Sequence, residues 1–209
     1  MPRPKHMQDI VKRICDAEDG AVFITSDFLD LADTQTVNKA LSRLTEEGVI
    51  DRVTRGIYTK PRYSELLDKD IPPRSDAIAK AIARNHGWTI VPCGDAALNM
   101  LGLSTQVPAV WHYVSDGPYR TYEADGMTLA FQHTDNKGEV INVSHKTALV
   151  VQALRALGRP NITSADLHGI SKLLREEEKA QMLSESKRIT AWVYELIRSI
   201  CRGTYETNR

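Results

Sequence analysis

Apolar residues recur along this chain with two different periods, and the changes of period mark its elements. Met7, Ile10, Val11 and Ile14 fall at i, i+3, i+4 and i+7, one stripe of a first helix closed by Gly20. Ala21 to Ile24 then reads as a short strand. Thr25 or Ser26 is placed to cap a second helix, with Phe28, Leu29 and Ala32 facing inward. Asp33 is placed to cap a third helix that runs to about Glu47 and ends at Gly48. Beyond it, Val49 to Val53 and Ile57 to Tyr58 alternate as short strands around Thr54-Arg55-Gly56, a hairpin turn.

The third helix says most about function. At about 100° per residue, Val37, Ala40, Leu41 and Leu44 share one side of the helix. Gln35, Lys39 and Ser42 then point the opposite way, with Thr36, Asn38 and Arg43 on the flanks. Amide, hydroxyl and cationic side chains are the groups that read base edges and hold phosphates. An ordinary solvated helix face carries the same residue types, so the helix alone does not decide. The hairpin adds Arg52 and Arg55, with Lys60 and Arg62 just beyond, after the acidic pair Glu46-Glu47. Two short helices, a longer one and a cationic hairpin, in that order, predict a winged helix-turn-helix at residues 1–62, with the wing cations on phosphate. Arg3 and Lys5 form an N-terminal arm.

Residues 63–209 are expected to form a second, α+β domain. Lys60-Pro61 and Ile71-Pro72-Pro73 bracket either a linker or a helical turn packed through Leu66 and Leu67. A helix from Ser75 to about Asn85 follows, then a strand at Trp88–Val91, a helix at Asp95–Leu101 and a strand at Ala109–Ser115. Tyr119–Tyr122 and Met127–Gln132 form a hairpin across Ala124-Asp125-Gly126, which makes a small antiparallel sheet. The last third is helical, with caps at Ser144 and Ser164. Its clearest stripe, Ile189, Trp192, Val193, Leu196, Ile197 and Ile200, is read as core. The tail from Tyr205 is expected to fray.

Composition narrows the partners. The 209 residues carry 27 cations against 27 acids, which counts against a protein that coats DNA by charge alone. The first 62 residues are balanced too, so only the placement of cations can support DNA binding. There is neither a leader-like start nor a long uncharged apolar run, so a cytoplasmic protein with no membrane partner is expected. Cys15, Cys93 and Cys201 follow no paired spacing and read as reduced thiols.

Signatures of catalysis are sparse. No phosphate loop, dinucleotide loop, nucleophile elbow or HExxH stands in the sequence, and neither cofactor nor metal is expected. His112 and His133 sit in neighbouring predicted strands without a third ligand. Glu139 with His145 and Lys146 makes a weak nuclease grouping that lacks a second acid.

The stretches VFITSDFLDL, VNKALSRL and RGIYTKPR, followed by GDAALNMLGLSTQVP and YVSDGPYR, resemble the AbiEi family of antitoxins from abortive-infection and type IV toxin–antitoxin systems. The resemblance covers most of Ala21 to Arg120. It implies a winged-helix transcriptional autorepressor that binds double-stranded DNA at inverted repeats upstream of its own operon. The same resemblance implies a functional partner, a nucleotidyltransferase-like toxin, with no direct contact required. Carried across, the family's DNA-binding face falls on Gln35, Thr36, Asn38, Lys39, Ser42, Arg43, Arg52 and Arg55. Glu46, Glu47 and Asp51 depart from the family's more basic pattern, which bears on affinity and not on fold. The alternative is a protein-interaction module that uses the winged helix as a scaffold without specific DNA binding.

Overall fold

The structure is a computed structural model that describes residues 4–135 and 137–205, without the side chains of residues 137 and 139. The chain is α+β, with small sheets and a helical last third. It divides into two compact units, Met1–Gly87 with Glu123–Met127, and Trp88–Tyr122 with Thr128–Arg209.

In the first unit, α1 (Lys5–Asp16) buries Met7, Ile10 and Ile14, the stripe its spacing predicts. Strand β1 (Val22–Ile24) leads into a 3-10 turn at Thr25–Phe28 in place of the expected second helix. Only Phe28 is buried there, while Leu29 stands 47% exposed. The Asp27 carboxylate accepts the Ile24 N–H at 2.9 Å, a capping-box bond that starts the turn, but so short a segment does not propagate into an α-helix. Next comes α2 (Thr34–Glu46), the helix expected over 33–47. Asp33 caps it by accepting the Thr36 N–H at 3.0 Å, and that bond holds the Asp33 carboxyl below its ordinary value. Gly48, at φ +70°, closes it. The Val49 N–H reaches the Leu44 carbonyl at 2.9 Å and the Gly48 N–H reaches Thr45 at 3.1 Å, a Schellman closure.

Strands β2 (Asp51–Thr54) and β3 (Ile57–Thr59) complete a three-stranded antiparallel sheet in the order β1-β3-β2. All three residues of the central strand β3 are buried, and a register shift between Arg52 and Thr54 bends the edge strand β2. Val37, Leu41, Leu44, Ile50 and Tyr58 close one core with α1. After it, β4 (Tyr63–Ser64) and β5 (Lys69–Asp70) form a two-stranded hairpin. This stretch is neither a linker nor a packed helical turn, for Leu66 is 93% exposed. Asp68 turns the hairpin at φ +50°, bonded to the Tyr63 hydroxyl. Helix α3 (Ser75–His86) packs on β1 and β3, so the first unit extends past Arg62 to Gly87.

The second unit holds β6 (Ile90–Pro92), α4 (Asp95–Met100), β7 (Val110–Ser115) and most of β8 (Arg120–Ala124) and β9 (Met127–His133). The four-stranded sheet runs β6-β7-β9-β8. Its β6 and β7 are antiparallel, but β7 and β9 pair in parallel, Val110 opposite Thr128 through Ser115 opposite His133. The sheet is therefore mixed rather than purely antiparallel, because β9 returns between β7 and β8. Five helices follow: α5 (Lys137–Val140), α6 (His145–Leu157), α7 (Ser164–Lys172), α8 (Glu176–Glu185) and α9 (Ala191–Arg202). Val193, Ile197 and Ile200 of α9 lie in one core with Val150, Leu154, Leu167 and Met182. Tyr205 does not fray: its ring meets His168 edge-on at 5.2 Å, and its carbonyl accepts the Ser164 hydroxyl at 2.7 Å. No helix among the described residues is long and apolar enough to cross a membrane.

Candidate nucleic-acid interface

Burial of Val37, Ala40, Leu41 and Leu44 turns the opposite face of α2 to solvent. Gln35, Lys39 and Ser42 are exposed there, their side chains without a hydrogen bond or ion pair among the described residues. The flanking residues are more committed. The Thr36 hydroxyl donates to Asp33 at 3.0 Å and so belongs to the cap. Arg43 donates through Nε to Glu47 at 2.8 Å, one turn on, which partly neutralises the end of the helix. Asn38 accepts the Thr25 hydroxyl on Oδ1 at 2.8 Å, and its amino group has no partner among the described residues.

The hairpin cations divide as well. Arg52 lies on the edge strand β2, and Arg55 forms the β2–β3 turn with Gly56, whose φ of +77° suits glycine. Both are exposed and unpaired among the described residues, as is Arg62. Lys60 differs. Its ammonium donates to the carbonyls of Cys15 at 3.0 Å and Ala17 at 2.8 Å, and pairs with Asp19 at 2.9 Å. These carbonyls end α1, so Lys60 caps that helix instead of joining the free cations. Arg3 lies outside the described residues.

Two arginines that carry no weight in the sequence hold this surface in place. Arg13 of α1 forks onto Asp30 at 2.7 and 2.6 Å, donates to the Asp27 carbonyl at 2.6 Å, and lies 5.8 Å from the Phe28 ring centre. The guanidinium draws the Asp30 carboxyl below its ordinary value. From α3, Arg84 reaches the Asp27 carboxylate at 3.2 Å and the Val22 carbonyl at 3.3 Å. The only advance signal was that Arg13 stands one residue from the apolar Ile14, at the edge of the α1 stripe.

Elsewhere the weaker candidates are taken up by the fold. His112 bonds Gln132 at 3.2 Å, whereas His133 bonds the Gly117 carbonyl at 2.9 Å and Asp135 at 3.0 Å, so the two histidines do not converge. Among the described residues, no group of three or more His, Cys, Asp and Glu is arranged to hold a metal ion. Lys146 is turned to the Leu173 carbonyl and Glu178, both at 3.2 Å, while the Glu139 side chain lies outside the described residues. Burial raises the Cys93 thiol to about 11, unsuited to nucleophilic work.

A family profile matches residues 9–182, most of the chain. The chain belongs to DUF6088, a family of unknown function. The matched span of this DUF6088 chain takes in all of α2 and the β2–β3 hairpin. No functionally curated protein matches the sequence. Among solved structures, the crystal structure of the Rv2827c protein from Mycobacterium tuberculosis is similar, with a TM-score of 0.44 and 12% identity over 99% of this chain and 79% of that one.

Proposed function

We propose that this DUF6088 chain is a sequence-specific DNA-binding protein, with its first unit acting as a winged helix-turn-helix. In this reading α2 enters the major groove and the β2–β3 hairpin is the wing. One observation carries it: the outward face of α2 offers Gln35, Asn38, Lys39 and Ser42, followed in the chain by a hairpin whose Arg52 and Arg55 carry no partner among the described residues. Free cations and polar groups together suit phosphate contact beside base contact. The resemblance to AbiEi antitoxins extends the reading to a cytoplasmic autorepressor of its own operon. A nucleotidyltransferase-like toxin is then the functional partner, not necessarily in contact, and the protein has no enzymatic role of its own.

A gel-shift titration with the chain's own upstream DNA against a scrambled duplex, at two salt concentrations, tests the proposal. Binding confined to the native probe and weakened by salt is expected; equal binding to both probes overturns it. A second reading, a protein-interaction module, is favoured by Tyr63, Leu66 and Leu67, which stand exposed on the β4–β5 hairpin. It predicts loss of partner capture when Leu66 and Leu67 are both replaced by serine, with DNA playing no part.

A further inference from the structure

We infer that Thr25 sets what Asn38 reads, turning an amide that would ordinarily suit adenine into a donor that selects guanine. The inference rests on the DNA-binding reading above and adds to it the class of base and a positioning residue.

The Thr25 hydroxyl donates to Asn38 Oδ1 at 2.8 Å. Thr25 is not a loose surface side chain, because it opens the 3-10 turn that three anchors hold. Phe28 is fully buried at the end of the turn. Arg13 grips it through the Asp27 carbonyl and Asp30, and Arg84 grips it through the Asp27 carboxylate. The hydroxyl is therefore held beside Asn38, where it donates to the amide oxygen. Asn38 itself is exposed on α2, and its amino group has no partner among the described residues.

An unconstrained asparagine shows a donor and an acceptor side by side, the pattern that fits adenine N6 and N7. With the oxygen drawn back to Thr25, the outward edge is a donor edge. In the major groove, two neighbouring acceptors occur on one base, guanine, at N7 and O6, whereas adenine sets its own amino group there. Lys39, the next residue, is also a donor without an acceptor. The two side chains thus favour the same base, and a misplaced adenine would set donor against donor.

The test measures Kd for the native operator and for duplexes in which each guanine of one half-site is replaced in turn by adenine or by 7-deazaguanine, which lacks the N7 acceptor. The full-length chain is compared with Thr25→Val, Thr25→Ser and Asn38→Ala, with helix content checked by circular dichroism. The wild-type chain should lose roughly tenfold or more at one guanine, on both replacements. Thr25→Val should lose most of that discrimination at the same position and Thr25→Ser should retain it. A merely structural role for Thr25 would weaken all duplexes equally and leave the ratio alone. If the wild-type chain prefers its operator and Thr25→Val keeps the same base ratio, the inference is overturned and the DNA-binding reading stands. If the wild-type chain shows no preference for its operator, both are overturned.

Discussion

Replacing Lys60 separates a structural cation from a DNA-contacting one, and the two roles leave different traces. Lys60→Met keeps the apolar stem and removes the ammonium that sits on the Cys15 and Ala17 carbonyls. A cation at a helix C-terminus contributes about 0.3–1 kcal/mol, and up to about 2 where the geometry is partly buried. The Lys60 side chain is 22% exposed, which puts it towards the upper end, whereas its pairing with the well-exposed Asp19 adds little. The loss should come to about 2 kcal/mol in the first unit, a roughly thirtyfold fall in amide protection along α1. Hydrogen exchange is the suitable assay. All three tryptophans, Trp88, Trp111 and Trp192, belong to the second unit, so indole fluorescence does not report on α1. Operator affinity should keep its salt dependence, whereas loss of a phosphate contact would flatten the log–log slope by about 0.9. A flattened slope with α1 protection intact would refute the capping argument and return Lys60 to the DNA face.

Three further expectations follow from the same geometry. Lys39→Ala and Arg55→Ala, each removing a cation with no partner among the described residues, should both weaken operator binding and reduce the salt slope by about one unit, measured by fluorescence anisotropy across a salt series; unchanged affinity in both would remove the mechanism. Leu41→Ala opens a cavity under α2, where Leu41 is fully buried, and should cost about 2–5 kcal/mol by hydrogen exchange in the first unit, with operator binding falling as that unit opens. The Arg175 N–H, with Lys146 and Arg175 side chains adding, holds the Glu178 carboxyl at about 2 against an ordinary 4.5. Because the folded value is the depressed one, this stabilisation is present above about pH 4.5 and is lost as pH falls towards 2; amide protection factors at the start of α8, taken against the intrinsic exchange rate at each pH, should fall over that window, and Glu178→Gln should abolish that fall.

What the sequence made legible was local. The α2 cap at Asp33, its buried stripe and its Gly48 closure are all encoded within 16 residues, and each is where the spacing puts it. Lys60 is the opposite case. Its partners Cys15 and Ala17 lie more than 40 residues away, and a lysine near a hairpin looks the same whether it faces phosphate or a helix end. The β8–β9 hairpin was visible in Asp125-Gly126, but the parallel neighbour of β9 is a non-local choice that no turn residue announces. Leu66 and Leu67 differ again, since apolar residues suggest packing and the hairpin instead leaves them exposed.

The charge balance turns the proposed mechanism into a bound on salt dependence. Once Lys60 is assigned to α1 and Arg43 to Glu47, the cations on α2, the β2–β3 hairpin and the segment just after it that have no partner among the described residues are Lys39, Arg52, Arg55 and Arg62. If all four met phosphate, the log–log slope would be about −3 to −4 for each bound copy. Glu46 and Asp51, exposed on the same stretch, can only lessen the attraction. On the proposed mechanism, phosphate contact alone yields modest affinity, and specificity would come from Gln35, Asn38 and Ser42 at base edges. A measured slope much steeper than −4 per copy would mean that cations outside this face take part. A slope near zero would mean that the hairpin cations do not reach the DNA.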